Sequence, residues 1–222
     1  PEHLDLVETQ NEFGSGALVS CSNCMVVPLA VSLAPIVRKF PVNSISISTE
    51  QSVSGAGRRV LERYREGVMP GPEIIGESQS IESELRRILN EYDSSESDSA
   101  NLKINAQCKR FPREFGHSAT VTVDLGRDVS AHEVIEAWSD FHSLVQHLDL
   151  PSGTKKPLIF DSETGPSTTS LNYKKSNKLD IDMQKSMDVL VGDINISGSK
   201  LCYRVASDNT VRGAAGNSIL LA

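Results

Sequence analysis

Two cysteines three residues apart, Cys21 and Cys24 in "CSNC", stand at the mouth of the almost wholly apolar run "MVVPLAVSLAPI". Such a pair can serve zinc, dithiol redox chemistry or nucleophilic catalysis. Structural zinc asks for a second pair or nearby histidines, and Cys108 and Cys202 are single, far apart and without a histidine within a few residues. A thioredoxin-like pair follows a strand and opens a helix, which suits Cys24, but the order of elements along the chain is different. The plain alternative is that both thiols are small buried apolar groups. Cys24 has the stronger position: unpaired N–H groups and the macrodipole at a helix start favour an anion, so its thiol is expected to ionise readily and act as a nucleophile. A nucleophile needs a proton-transfer partner and a group that holds substrate. His117 and Arg110 share the hairpin "CKRFPREFGHSA", close enough to serve one pocket. Taken singly, His117 would be an ordinary turn histidine and Arg110 an exposed charge on a strand.

The elements that must position these groups follow from hydrophobic periodicity. The apolar run after Cys24 predicts a buried helix to about Phe40, with Pro28 tolerated in its first turn and Pro35 a kink. Residues 43–51, "NSISISTEQ", alternate in period two and predict a strand that ends in the glycine turn "SVSGAG". In residues 80–92, Ile81, Leu85, Ile88 and Leu89 fall on one face of an amphipathic helix, and an acidic loop, "DSSESDSAN", follows. "NLKINAQCKRF" and "HSATVTVDLG" predict two strands around "PREFG". A helix over "DVSAHEVIEAWSDFHSLVQHL" comes next, with Ser130 as N-cap and Glu133 closing a capping box. "KPLIF", "MDVLVGDINIS" and "KLCYRVAS" predict further strands, the first separated from the others by the polar stretch "SETGPSTTSLNYKKSNK". A last helix starts near "VRGAAGNSILLA". The rhythm is α+β, with no internal repeat.

The 222 residues suffice for a sizeable core, and 38 % hydrophobic with 23 % charged residues is an ordinary globular balance. Pro28, Ser32 and Pro35 break the longest apolar stretch, which argues against a membrane span. A net charge of -7, with only isolated basic groups such as Arg58-Arg59 and Lys174-Lys175, argues against nucleic acid as a partner. Four cysteines and no recognisable leader point to a reducing compartment. The chain opens at Pro1 and closes within "SILLA", so both ends are expected to be cut. Neither G-x-G-x-x-G after a strand nor G-x-x-x-x-G-K-[ST] occurs.

Together these residues resemble the aspartate-semialdehyde dehydrogenase family, in particular its archaeal and fungal branch. "SNCMVVPLAVSLAPI" is similar to the family's "PNC[ST]" and the helix after it, and "QSVSGAG" at 51–57 to its "QAVSGAG". "CKRFPREFGHS" at 108–118 matches its "C-x-R-x-P" strand end leading to "GH[ST]". "LPS…KPLI" at 150–159 and "SDNTVRGAAGNS" at 207–218 fall in the family's order. The resemblance implies a glyceraldehyde-3-phosphate dehydrogenase-like C-terminal domain, α+β, whose mixed, mostly antiparallel sheet packs with helices. Residues 1–23 would be the tail of an otherwise missing N-terminal NADP-binding Rossmann domain. Residues 24–206 would be the catalytic and dimerisation domain, and 207–222 a C-terminal helix that packs back on the cofactor domain.

The family's chemistry, carried over, makes Cys24 the nucleophile of a thioacyl intermediate between L-aspartyl 4-phosphate and L-aspartate 4-semialdehyde, with NADP as cofactor. His117 would be the general acid/base and Gln51 would help to position the intermediate. Arg110 would clamp the substrate α-carboxylate and Glu77 its amine. Asn209, Gly213, Ser54 and Gly55 would approach the cofactor, and no metal is implied. The backbone amide of Cys24 could hold a developing oxyanion. The resemblance further implies amino-acid biosynthesis (Lys, Thr, Met), a homodimer or homotetramer, and a cytoplasmic location, or a plastid one if a transit peptide was removed upstream.

Several positions depart from the family pattern. Ser22 replaces Pro, Met25 a small hydroxyl residue and Ser52 an Ala, while Ser80 stands where a phosphate-contacting Lys is expected. Losing that cation removes a contact of roughly 1.5–3 kcal/mol to an anion. Two alternatives therefore stand beside the dehydrogenase: a non-catalytic structural or dimerisation subunit of the same fold, and an acyl-CoA reductase of the malonyl-CoA reductase kind, in which CoA is the leaving group.

Overall fold

The computed structural model describes residues 7, 10, 12, 14, 16–90, 102–148, 150–160 and 187–222. The acidic loop and the polar stretch 162–178 anticipated from the sequence lie outside them. A six-stranded sheet carries the fold, in the order β2-β1-β3-β6-β5-β4. Its strands are β1 (Ser44–Gln51), β2 (Lys103–Arg110), β3 (His117–Asp124), β4 (Leu158–Phe160), β5 (Val189–Ser197) and β6 (Lys200–Ser207). The β1–β2 and β4–β5 pairs are parallel; the other three are antiparallel. The mixed, mostly antiparallel sheet expected from the resemblance is therefore present. A bulge between Gly192 and Asn195 interrupts β5, where Asp193 adopts φ 50°.

Strict alternation gives the sheet two unlike faces. Ile45 and Ile47 of β1, Ile104 and Ala106 of β2, Val121 and Val123 of β3, and Leu201, Tyr203 and Val205 of β6 point into the core. Helix α1 (Val26–Lys39) lies over this face with α3 (Glu77–Asn90) and α4 (Ala131–Ser139). Ile81, Leu85 and Leu89 form the buried stripe of α3. Helix α1 runs through Pro35 without a break. Trp138 Nε1 donates to the Ser32 carbonyl at 2.8 Å, and the Tyr203 hydroxyl lies 3.0 Å from Ser32 Oγ, tying α4, α1 and β6 together. The opposite face carries Ser46, Ser48, Thr120, Thr122 and Arg204, and no described helix covers it.

Three elements differ from the sequence expectation. Helix α2 (Arg58–Arg65) was not predicted: it has no buried residue, so periodicity is silent, and Arg58 holds Glu62 at 2.7 Å along its exposed side. The helix predicted over 128–148 is two helices, because Ser143 starts afresh: its N–H and hydroxyl both reach Gln146 Oε1, opening α5 (Leu144–Leu148). The Ser130–Glu133 capping box at the head of α4 is present as expected. At the C-terminus a widened π turn, Val211–Ala215, precedes α6 (Gly216–Leu221), and the Asp208 carboxylate caps the turn through the N–H groups of Thr210 and Val211.

Candidate active site

Strand direction gathers the site. β1 and β2 run parallel and finish side by side at Gln51 and Arg110, which are register partners. β3 runs the other way and starts there with His117, and β6 finishes opposite it at Ser207, just before Asp208 and Asn209. Four strand ends thus deliver Gln51, Arg110, His117 and Asn209 to one rim of the sheet. The loop after β2 is zipped to the glycine turn after β1: Val53 N–H donates to Arg113 O at 2.8 Å and Ser54 N–H to Glu114 O at 3.0 Å. Gly116, at φ 83°, makes the turn that aims His117 inward.

Cys24 sits just ahead of α1, and the chain after β6 is pressed against it. A Cβ on Gly213 would stand 2.7 Å from Cys24 Cβ and 2.8 Å from its carbonyl oxygen, so only glycine allows this approach. The expected easy ionisation of the thiol is not what the site provides. Burial, then the Glu77 carboxylate, push its pKa up to about 11, outweighing the backbone N–H groups of Cys24 and Met25 and the Arg110 charge. The reason is positional: Cys24 precedes the first helical residue, Val26, and shares its surroundings with an anion.

Glu77 is the hub on that side. Its Oε1 accepts from Gln51 Nε2 and Asn23 Nδ2, each at 3.0 Å. Asn23 in turn receives Met25 N–H at 2.8 Å and donates its own N–H to Glu84, which fixes the segment carrying Cys24. Arg110 donates to the Ser52 carbonyl at 2.9 Å. Burial lowers the pKa of its guanidinium, while Glu77 and Cys24 act in the opposite sense. The electrostatic influence of Glu77 on both Cys24 and Arg110 places all three in one locality.

His117 is completely buried, and burial followed by the Arg110 charge lowers its pKa to about 3. The ring is neutral at physiological pH. Its Nδ1 accepts the Ser52 N–H at 3.0 Å, so the ring proton resides on Nε2. That Nε2–H is buried and has no partner among the described residues. A Cβ on Gly55 would meet Nε2 at 2.9 Å and Arg110 Nη1 at 3.2 Å, so Gly55 lies over both groups. Asn209 Oδ1 accepts from Gly116 N–H at 2.9 Å and lies 3.1 Å from Ser52 Oγ, and its Nδ2 donates to Ser54 Oγ at 3.0 Å.

The structure therefore brings Cys24, Gln51, Glu77, Arg110, His117, Asn209, Gly213, Ser54 and Gly55 to one region. Asn23 and Ser52 were not singled out as site residues; their signal was adjacency to Cys24 and Gln51. Ser80, in the first turn of α3, is exposed. Among the described residues no group of three His, Cys, Asp or Glu is placed to hold a metal, and no helix is long and apolar enough to cross a membrane.

The family model described as "Semialdehyde dehydrogenase, dimerisation domain" matches residues 33–212. Aspartate-semialdehyde dehydrogenase of Methanothermobacter thermautotrophicus is 34 % identical over 99 % of this chain and 62 % of its own length. Malonyl CoA reductase (NADP) of Metallosphaera sedula is 24 % identical over 100 % of this chain and 62 % of its own. Among solved structures, aspartate semialdehyde dehydrogenase with NADP from Candida albicans superimposes with TM-score 0.72 at 25 % identity, covering 100 % of this chain and 63 % of that one. The chain thus spans about three fifths of the length of these relatives.

Proposed function

The chain belongs to the semialdehyde dehydrogenase dimerisation-domain family, and from that premise we propose that it is the catalytic and self-association part of an NADP-dependent aspartate-semialdehyde dehydrogenase. The observation that carries this proposal is the convergence of Cys24, Arg110 and a neutral His117 with an unpaired Nε2–H at one sheet rim.

Cys24 acts as the nucleophile. Its sulfur attacks the acyl carbon of the aspartyl group, the bond to the phosphate oxygen breaks as the thioester forms, and the thiol proton leaves with the phosphate. The hydride chemistry at the acyl carbon would be supplied by NADP held by the cofactor domain. The remaining work falls to this chain. Because the free thiol is held protonated, ionisation requires that the influence of Glu77 be offset, and a substrate ammonium on that carboxylate would do so. Arg110 offers its planar guanidinium to the substrate carboxylate. His117 donates from Nε2 to negative charge developing on the acyl oxygen or the sulfur, and the 53–56 turn, exposed at Gly55 and Ala56, must give way for substrate to reach it. Gln51, anchored on Glu77, positions the acyl group. Gly55 and Gly213 let the backbone close on His117 and Cys24, where no Cβ would fit, and Ser54 and Asn209 are committed to inward hydrogen bonds.

The uncovered sheet face is the proposed self-association surface. Residues 1–23 and 207–222 are proposed to meet a cofactor domain, in keeping with the exposed Leu18, Val19 and Ile219. The carrying test is Cys24→Ala in the full-length protein: turnover of aspartate semialdehyde with NADP and phosphate should vanish, and wild-type turnover in the variant would refute the assignment. A second activity is favoured by Ser80 and the malonyl CoA reductase relative, namely an acyl-CoA reductase; acceptance of CoA in preference to phosphate would establish it.

A further inference from the structure

We propose that Ser52, Ser54 and Asn209 form a directed hydrogen-bond relay that holds the His117 imidazole in one orientation and one tautomer, with Nδ1 a pure acceptor and the Nε2–H on the side of Gly55 and Arg110. Direction is set at the far end. The Gly116 N–H can only donate, and it donates to Asn209 Oδ1 at 2.9 Å, so the Nδ2 end of that amide faces Ser54 Oγ at 3.0 Å. Ser54 Oγ lies 3.0 Å from Ser52 Oγ, and Ser52 Oγ lies 3.1 Å from His117 Nδ1. At the near end the Ser52 N–H, again only a donor, points at Nδ1 from 3.0 Å. The single hydrogen of the Ser52 hydroxyl has two acceptors within reach, His117 Nδ1 and Asn209 Oδ1, each at 3.1 Å, and the relay assigns it to Nδ1, which the Ser52 N–H already approaches. The His117 end of the relay lies in the interior, where Ser52 and His117 are 0 % exposed and Asn209 4 %, while Ser54 is half-buried. Burial gives the bonds at that end a weight they would lack in water, since an unmet donor or acceptor there has no solvent to turn to.

The consequence for the site is a fixed donor. With Nδ1 occupied, the ring proton has only Nε2 to occupy, which is the atom left without a partner. Ser54 and Asn209, which the family resemblance assigns to the cofactor, become positioning residues for His117. Ser52 does so through a hydroxyl that the family's "QAVSGAG" lacks. The inference rests on the dehydrogenase reading only for what the Nε2–H does in turnover; the relay itself is independent of it.

The test uses full-length protein labelled with 15N-histidine and long-range proton–nitrogen correlation at neutral pH. Wild type should show a single His117 tautomer, Nε2 protonated and Nδ1 bare but hydrogen-bonded. Ser52→Ala, which returns the position to the family's residue and so should fold, moves the Nδ1 resonance toward that of an imidazole nitrogen with fewer donors. Ser52→Thr restores it, and Ser54→Ala shifts it in the same direction by less. In turnover, Ser52→Ala lowers kcat about three- to ten-fold, the range of one neutral hydrogen bond, with KM unchanged. A proton on Nδ1 in wild type overturns the relay, as does a Ser52→Ala protein whose Nδ1 resonance stays in place. The resonance arm decides the matter even in a protein without dehydrogenase turnover.

Discussion

The same strands present two different faces at the site end, and neighbouring residues belong to opposite ones. Gln51 and His117 point under the helices, where each polar atom is rationed: Gln51 is held by Glu77, His117 by Ser52, and one Nε2–H is left over. Glu50 and Ser118, one residue away on each strand, point to the uncovered face. There they meet Arg204, which reaches the Glu50 carboxylate at 3.3 Å, and Ser118 Oγ donates to the same carboxylate at 3.2 Å. On the inner face, burial shifts the titration of Cys24, Arg110 and His117. On the outer face the charges pair with one another beside solvent. The difference shows how a period of two lets a single strand end line a buried pocket of polar groups on one side and an open charged face on the other.

The largest effects should come from the inner face. Exchange of Cys24 for serine, or of His117 for alanine, is expected to lower kcat of the full-length protein by at least about 10²–10⁴-fold, the span of a lost nucleophile or proton-transfer group. A loss below tenfold, seen in steady-state kinetics, would erase the distinction between the faces. Next comes acid sensitivity. The folded pKa of His117, about 3, lies below the ordinary 6.5, so the unfolded chain takes the proton first. Its stabilising effect is complete above about pH 6.5 and declines as pH falls toward 3. Between pH 6.5 and 5 wild type should lose about 2 kcal/mol more than His117→Gln in urea unfolding. Equal losses would mean that the ring is not buried neutral.

Thr120→Asp places a charge in the middle of the outer face and should weaken self-association by about tenfold or more in sedimentation, since a like charge set against its own copy is unfavourable. Unchanged mass would move the interface elsewhere. Glu77→Gln should lower the Cys24 pKa from about 11 and speed alkylation by iodoacetamide at pH 8 several-fold, because it removes the anion that disfavours the thiolate. The smallest effect belongs to the outer pair. Glu50→Gln leaves kcat intact and costs under about 1 kcal/mol of stability, as partly exposed ion pairs do.

Much of this was legible in the sequence. The alternations in 43–51 and 117–126 gave their strands and inner faces directly, and "S-A-H-E" at 130–133 announced its capping box. That Gln51, Arg110 and His117 meet at one rim was legible through motif resemblance, because motif spacing reports strand ends. The ionisation of Cys24 was not. It depends on Glu77, which arrives from another helix, and on burial under Gly213 from the far end of the chain, and neither leaves a local trace around "SNC". Helix α2 escaped for the opposite reason: it buries nothing, so it has no pattern to read. Ser52 looked like a conservative departure from alanine, since a hydroxyl declares its partner only once the fold supplies Asn209.

The antiparallel junction of β3 with β6 joins His117 to the distant chain segment that delivers Asn209 and Gly213. A polypeptide must close that long loop before Cys24 has its cover or the Gly116 N–H beside His117 meets Asn209, and long closures are the slow steps of folding. Activity during renaturation should therefore lag behind recovery of helical signal, making a regained catalytic turnover the last milestone of the folding route.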